Sequence, residues 1–158
     1  MASNTSAPTL YLNIHTVSPS ASAAFFTSLN FTTIPAYSDA QTQSLRLPGK
    51  NSSVCLMVHS HERFKTFIRP GTDVNDARKN TEVLFSIAAE TKAQVDEWVD
   101  LAVKAGGEAD PYVMEGNGAS MGMYVRSFGD LDGHIWEVVA VVGGGQGGCG
   151  VGEGKGEA

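Results

Sequence analysis

The chain has 158 residues, of which 42% are hydrophobic and 18% charged, a composition typical of one globular domain or of two small repeats that share a core. The formal net charge is −6 and the few basic residues form no run, which argues against nucleic acid as a partner. No apolar stretch approaches the roughly 20 residues of a membrane helix, and the N-terminus lacks the pattern of a signal peptide, so we expect a cytoplasmic protein without a membrane partner.

The first half of the chain predicts one strand, one helix and three further strands. Apolar and polar side chains alternate over residues 10–16, which is the pattern of a strand with one buried face. Ser18 and Pro19 supply an N-cap and a first helical position, and an apolar stripe continues this helix to about Leu29. Three short strands are predicted next, at residues 31–37, 43–47 and 53–59.

The second half repeats this order. Residues 82–88 alternate as a strand, and Thr91 and Gln94 then have the spacing of a capping box. The apolar stripe that follows ends at Gly106 and Gly107, as expected at the end of a helix. Three more strands are predicted, at residues 111–115, 122–128 and 134–141.

A strand–helix–three-strand unit that occurs twice predicts an α+β fold of two tandem βαβββ modules. Neither copy buries both faces of its sheet alone, so we expect curved mixed sheets around a shared cavity, with the helices outside. The segment 10–142 then contains modules at about residues 10–60 and 81–142 and a polar connector at 61–80. Residues 1–9 and the tail 143–158, which holds nine of the eighteen glycines, are predicted to be disordered.

Alternation along the strands predicts which side chains line the cavity of the first module. Leu12 and Ile14 are expected under the helix. The opposite face of the same strand then points into the cavity and carries Tyr11, Asn13 and His15. These three residues are candidates for substrate binding, together with Tyr124 and Arg126, which alternate in the penultimate strand.

In the second module the same reasoning places two carboxylates in the cavity. Glu82 lies on the face opposite Phe85, and Glu137 is turned toward the cavity if the large Trp136 packs under the helix. Two carboxylates in one cavity repel each other unless a shared proton, a basic side chain or a metal ion compensates them. Arg126 is a candidate counter-charge for Glu137 or a partner for an anionic ligand.

The remaining candidates allow two interpretations each. The spacing of His59 and His61 is that of two side chains on one face of a strand, which can chelate a metal, although such a pair also marks a strand that leaves the core. Phe64 and Phe67 in the connector are expected either in an apolar wall of the cavity or in the core.

The stretch FGDLDGHIWEVV at residues 128–139, together with the doubled plan, resembles the vicinal oxygen chelate superfamily. That superfamily includes glyoxalase I, extradiol dioxygenases and bleomycin-resistance proteins, and the chain closely resembles its lactoylglutathione lyase-like branch. Its terminal motif is similar to F-x-D-P-D-G-x-x-W/I-E, in which the glutamate is a metal ligand. The resemblance therefore implies a metal ligand at Glu137 and a second at Glu82, where the family more often has histidine or glutamine.

The positions in the first module depart from this pattern. The resemblance places them at Tyr11 and at Cys55 or Met57, where the family has histidine or glutamate. Dioxygenase chemistry is disfavoured because it needs two histidines and one carboxylate, and Glu82 takes the place of one of these histidines.

The resemblance implies two possible functions. The first is a glyoxalase I-like, metal-dependent lyase or isomerase that acts on a small carbonyl-containing substrate through an enediolate-like intermediate. In it Glu137 and Glu82 would be the catalytic and metal-binding residues, with a divalent ion (Mn, Mg, Fe, Ni or Zn) as the cofactor. The alternative is a non-catalytic, bleomycin-resistance-like protein that binds a small molecule. A homodimer is expected in both cases.

Overall fold

The computed structural model describes residues 7–143, so the segments 1–6 and 144–158 of the predicted disordered ends lie outside the described residues. Within this range none of the helices is long and apolar enough to cross a membrane. The helices are α1 (Pro19–Ser28), α2 (His61–Phe64) and α3 (Lys92–Lys104), and short 3-10 helices lie at Pro35–Tyr37, Gly49–Asn51 and Glu115–Met121. The strands are β1 (Leu10–His15), β2 (Thr32–Thr33), β3 (Thr42–Arg46), β4 (Val54–His59), β5 (Leu84–Ala88), β6 (Glu108–Ala109), β7 (Met123–Gly129) and β8 (Ile135–Val141).

The strands form two four-stranded mixed sheets with the same topology. The first sheet has the order β1-β4-β3-β2 and the second has the order β5-β8-β7-β6. In each sheet the first strand of the module runs parallel to the last, and the other pairs are antiparallel. The predicted α+β fold of two tandem βαβββ modules is confirmed. The sheets stay separate, however, and do not close around a shared cavity.

Two strands differ from the prediction: one is shorter, and the other lies at an earlier position in the chain. The strand predicted at 31–37 is reduced to the two residues of β2, because Pro35 has no N–H for a sheet and begins a 3-10 helix instead. The strand predicted at 111–115 is absent and β6 lies before it. Asp110 adopts a left-handed backbone conformation, with φ of 49°, which turns the chain away from the sheet at that point.

The N-terminal caps of both long helices are confirmed. The Ser18 hydroxyl accepts a hydrogen bond from the backbone N–H of Ala21 at 3.3 Å. The Thr91 hydroxyl accepts one from the N–H of Gln94 at 3.2 Å. The Gln94 side chain accepts from the N–H of Glu90 at 2.7 Å, one residue earlier than in a standard capping box. These bonds satisfy backbone donors that have no partner inside the helix.

Helix α1 packs against both sheets, so the two modules share one core. The rings of Phe26 and Trp136 lie 5.2 Å apart, and those of Phe25 and Phe128 lie 6.2 Å apart. Phe85 of β5 stacks on the other side of the Trp136 ring at 4.7 Å. Trp136 is fully buried, and each such side chain contributes roughly 1.5–3 kcal/mol through removal of apolar area from water. The other face of each sheet points away from this core.

The turn between β7 and β8 is organised by the carboxylate of Asp130. One oxygen accepts hydrogen bonds from the backbone N–H groups of Asp132 and His134, both at 3.0 Å. The other oxygen accepts from the indole N–H of Trp136 at 3.1 Å and contacts Nδ1 of His134 at 3.0 Å. Gly133 has a φ of 92°, which a residue with a side chain rarely adopts. Asp130 therefore fixes both the turn and the orientation of the central core ring.

The carboxylate of Asp132 joins the two modules. It accepts a hydrogen bond from the hydroxyl of Thr16 at 2.6 Å and one from the backbone N–H of Val17 at 2.9 Å. Thr16 and Asp132 are both buried, so the bonds are shielded from water. Because Thr16 directly follows β1, the end of β1 is held against the start of β8.

We expect the substitution Asp132→Ala to lower the free energy of unfolding by about 1–3 kcal/mol, because it removes the acceptor of the Val17 N–H and leaves the buried Thr16 hydroxyl only the longer contact with Ser22 at 3.2 Å. Urea unfolding of the purified protein measures this change. The matched control is Asp100→Ala on the exposed face of α3, which should change the stability by less than about 0.5 kcal/mol. Equal effects of the two substitutions would contradict a structural link through Asp132.

The stability should also depend on the protonation of His134. Burial alone lowers the pKa of His134, but the hydrogen bond to Asp130 and the charges of Asp130 and Asp132 raise it above the ordinary value of 6.5. Because the folded state then binds the proton more tightly than the unfolded state, protonated His134 stabilises the fold. This stabilisation is fully present below pH 6.5 and is lost as the pH rises through the raised pKa.

The difference in unfolding free energy between the native protein and His134→Gln should therefore decrease from pH 6 to pH 8.5, and taking the difference cancels the opposite contributions of His15 and His59, whose pKa values burial lowers. His61→Gln, at a half-exposed imidazole, is the matched histidine-to-glutamine control and should retain the pH dependence that His134 gives. An identical pH profile in the native protein and His134→Gln would show that the proton on His134 does not stabilise the fold.

Candidate functional site

Glu137 lies in β8 on the face that points away from the aromatic core. Its side chain is buried, with only 7% of the residue exposed, and Oε2 accepts a hydrogen bond from the Ser86 hydroxyl at 2.5 Å. In the register of the sheet its neighbours are Ser86 of β5 and Ser127 of β7. The Ser127 hydroxyl is itself bonded to the backbone of Tyr112. Glu137 therefore has polar neighbours on both sides in the second sheet.

Glu82 does not lie beside Glu137. Strand β5 begins at Leu84, so Glu82 precedes the strand and is exposed. The residue in register with Glu137 is Ser86, four positions further along, and four residues of extended chain span about 13 Å. The predicted pair of carboxylates is thus separated, and the two groups cannot hold one ion between them.

The two helix caps show which positions correspond between the modules. Ser18 and Thr91 each follow the first strand of their module, and the residues five positions earlier are Asn13 and Ser86. Asn13 is in register with Met57 in the same way as Ser86 is with Glu137. The resemblance had placed the first-module positions at Tyr11 and at Cys55 or Met57. The four equivalent positions are Asn13, Met57, Ser86 and Glu137.

These four side chains do not fit a divalent metal ion. They offer one carboxylate, one hydroxyl, one amide and one thioether, whereas Mg²⁺ and Mn²⁺ prefer several oxygen ligands and Zn²⁺ prefers histidine or thiolate. The amide oxygen of Asn13 already lies 2.8 Å from Nε2 of His59. Within residues 7–143 no group of three or more histidine, cysteine, aspartate or glutamate side chains is arranged to hold a metal ion.

The two histidines considered as a chelating pair have separate partners. His59 is buried, and its Nδ1 and Nε2 lie 2.8 Å from the Thr42 hydroxyl and the Asn13 amide oxygen. Burial is the main cause that lowers the pKa of His59, so the ring is neutral near pH 7. Because Asn13 presents its oxygen, Nε2 carries the proton and Nδ1 accepts from Thr42. His61 belongs to α2 and packs edge-on against the His15 ring at 5.3 Å.

Tyr124 and Arg126 lie on the face of β7 opposite to the one expected. Ser127 is in register with Glu137 and shares its face, and side chains alternate along a strand. Tyr124 and Arg126 therefore lie on the other face, toward α3. The Tyr124 hydroxyl donates to Asp96 at 2.9 Å, and Arg126 forms ion pairs with Asp96 at 3.1 Å and with Asp110 at 2.7 Å. The hydrogen bond from Arg126 is the main cause that lowers the pKa of Asp110. Arg126 therefore has no free charge for Glu137 or for an anion.

A cavity of about 220 Å³ lies between β1 and β5, the edge strands of the two sheets, and extends to the start of β8. We name it the edge cavity. Three of the residues selected from the sequence line it, namely Asn13, His15 and Glu82. Tyr11 does not line it, and its ring packs instead near that of Tyr37 at 6.4 Å. The structure thus brings part of the predicted site together, but at the seam between the modules.

The connector covers the edge cavity. Its contribution includes Asp73, Val74 and Asn75, which gave no periodic signal in the sequence, and also Phe64, which had been expected either here or in the core. In the sequence, this part of the wall is marked only by isolated apolar side chains in the otherwise polar connector. The apolar wall includes Ile14, Phe64, Ile68, Val74, Phe85 and Ile135.

No family model and no curated protein matches the sequence. Solved structures are similar in fold at low sequence identity. A glyoxalase/bleomycin resistance/dioxygenase family enzyme from Burkholderia phytofirmans PsJN has a TM-score of 0.64 and 20% identity, over 84% of this chain and 97% of that one. A glyoxalase/bleomycin resistance protein/dioxygenase from Nocardioides has a TM-score of 0.60 and 17% identity, over 94% and 91% of the two chains.

A lactoylglutathione lyase from Agrobacterium tumefaciens is also similar, with a TM-score of 0.58 and 16% identity over 87% of this chain and 96% of that one. All three matches cover nearly the whole length of the other protein, so the similarity includes both modules and their connection. The chain therefore has the fold of the vicinal oxygen chelate proteins, the group of glyoxalases, bleomycin-resistance proteins and dioxygenases.

Proposed function

We propose that the protein binds a small organic molecule, without catalysis, in the edge cavity. The observation that carries this proposal is the combination of an apolar wall with a few polar side chains in one cavity, which is the usual composition of a ligand site. Binding sites of drug-sized ligands measure about 300–1,000 Å³, and the edge cavity, at about 220 Å³, fits a smaller molecule.

The polar wall of the edge cavity is held in place before any ligand arrives. Thr42, His59 and Asn13 form a chain of hydrogen bonds, each 2.8 Å long, that fixes the amide of Asn13. The His15 ring packs against His61 and also lies 6.4 Å from the Phe64 ring. A site whose side chains are already ordered loses less conformational entropy when a ligand binds, which favours affinity.

A glyoxalase I-like lyase is the second candidate function. The observation in its favour is the carboxylate of Glu137, which is buried and has a hydroxyl as its partner. This chemistry requires a divalent ion, and the side chains at the four equivalent positions do not form a suitable ligand set. The binding function requires no ion and therefore accounts better for Asn13, Met57 and Ser86 at these positions.

We also propose that the protein is a homodimer. The sheet faces that point away from the core expose large apolar side chains, including Tyr11 and Leu84, and the exposed Tyr37 of a 3-10 helix lies beside Tyr11. Exposed apolar area of this kind is typical of interaction surfaces. A second copy of the chain could cover these faces by a two-fold arrangement, the commonest symmetry among oligomers.

Sedimentation analysis should accordingly give twice the chain mass for the native protein. Leu84→Lys adds a charge to the exposed face and should shift the equilibrium toward the monomer, because a buried unpaired charge is costly. Val103→Lys, on the exposed side of α3, is the control and should remain a dimer. A native protein that sediments as a monomer at micromolar concentration would contradict the proposed dimer.

Metal content and ligand binding distinguish the two candidate functions. We expect less than about 0.1 metal ion per chain by mass spectrometry in protein prepared without a metal-affinity tag. Mn²⁺, Ni²⁺, Zn²⁺ and Mg²⁺ should leave the melting temperature unchanged, since an ion that binds only the folded state must raise it. Near-stoichiometric metal that disappears in Glu137→Gln would instead favour the lyase.

Small aromatic molecules of the size of benzyl alcohol should raise the melting temperature at millimolar concentration if they occupy the edge cavity. Val74→Phe fills part of the cavity and should abolish this rise. The matched control is Val103→Phe, which adds the same group on the surface and should leave the rise intact. A rise that persists in Val74→Phe would place the binding elsewhere.

A further inference from the structure

We infer that the edge cavity takes a small organic cation, namely an amine attached to an apolar body. This inference rests on the proposed binding function and adds the chemical class of the ligand. It follows from the charged side chains around the cavity, from the ion pairs and hydrogen bonds that they form, and from the apolar side chains in the same wall.

Among residues 7–143, those that line the cavity include carboxylates but no lysine or arginine. Glu82 is at the wall, and within residues 7–143 its carboxylate has no hydrogen-bond or ion-pair partner. Asp73 is also at the wall, but it pairs with Lys65 at 3.2 Å and lies 3.7 Å from His61. One full negative charge at the cavity is therefore uncompensated, and it is that of Glu82.

The basic side chains closest in sequence to Glu82 bind other groups. The Arg78 guanidinium donates to the backbone carbonyl of Leu131. Lys79 pairs with Asp76 at 3.2 Å. Neither Arg78 nor Lys79 lines the cavity, so neither is placed to neutralise Glu82 there.

The two imidazoles in the wall do not supply a compensating positive charge. Burial is the main cause that lowers the pKa of His15, so this ring is neutral near pH 7. His134 has a raised pKa, but its Nδ1 lies 3.0 Å from the carboxylate of Asp130, which cancels a charge on the ring. Within residues 7–143 the unpaired charge in the cavity wall is therefore the negative charge of Glu82; the cation Arg78 lies outside the wall, although its charge acts on His134.

The apolar side chains of the cavity wall suit the apolar part of such a ligand. Phe64 from the connector and Phe85 from β5 both line the cavity, together with Val74 and Ile135. Aromatic faces attract cations as well as apolar groups, so these rings accept either end of an amine ligand. An anionic ligand would lie near the carboxylate of Glu82 and would find no cationic side chain in the wall to pair with. Its charge and that of Glu82 would repel each other.

The test compares three ligands of the same size that differ in charge: benzylamine, benzyl alcohol and benzoate. Their binding is measured at pH 7 and low salt from the chemical shifts of the backbone amides around the cavity. We expect benzylamine to bind about two to five times more tightly than benzyl alcohol, as for an exposed ion pair, and benzoate to bind most weakly.

Glu82→Gln removes the charge and keeps the size of the side chain. It should reduce the affinity for benzylamine to that for benzyl alcohol and leave the affinity for benzyl alcohol unchanged. The matched control is Glu97→Gln on the exposed side of α3, which should alter neither affinity. The advantage of benzylamine should also decrease at 1 M salt, because partly exposed charges are screened.

The outcomes separate the inference from the proposed function on which it rests. If all three ligands bind at the cavity with equal affinity, or if Glu82→Gln retains the preference for benzylamine, the cationic class is wrong and the binding function stands. If none of the three binds at the cavity, both the binding function and the inference are overturned.

Discussion

The buried carboxylate of Asp132 is the interaction on which the arrangement of the two modules depends. It belongs to the second module and accepts hydrogen bonds from Thr16 and Val17 of the first. These bonds hold the end of β1 against the start of β8, and these two ends form neighbouring parts of the edge-cavity wall. Neither sheet contains the cavity alone, so the cavity exists only because the modules are joined in this orientation.

The motif at the end of the second module serves structure more than chemistry. Asp130 fixes the turn and the indole of Trp136, and Asp132 joins the modules. Trp136 then fills the core that both sheets share. Glu137 points away from that core, on the same face of β8 as Ile135 and Val139, because side chains alternate along a strand. In this chain Asp130, Asp132 and Trp136 of the motif thus hold the fold.

The fold could be predicted from the sequence because its signals are local. Alternation gave the correct faces of β1 and β8, in which Ile14 and Trp136 enter the core, and the hydroxyls of Ser18 and Thr91 marked the starts of the helices.

The site was harder to predict because it depends on register and on contacts far apart in the sequence. Glu82 was expected beside Glu137, but β5 begins two residues after Glu82 and pairs Ser86 with Glu137 instead. The face of Arg126 was ambiguous because residues on both sides of β7 are mixed in polarity. Its position follows only from the partners Asp96 and Asp110, which no local pattern reveals. The wall formed by the connector is equally non-local.

The way in which the connector is attached explains how a covered cavity can admit a ligand. The Arg63–Asp39 ion pair joins the connector to the first module at the surface, and an exposed pair of this kind contributes only about 0–1 kcal/mol. The Phe67 ring of the connector packs against His59 at 5.1 Å but remains more than half exposed. Segments with few buried contacts open at a small fraction of the global unfolding free energy. His59 and Thr42 are buried and Asn13 is exposed, but all three belong to the first sheet, so the hydrogen bonds between them do not require the cover.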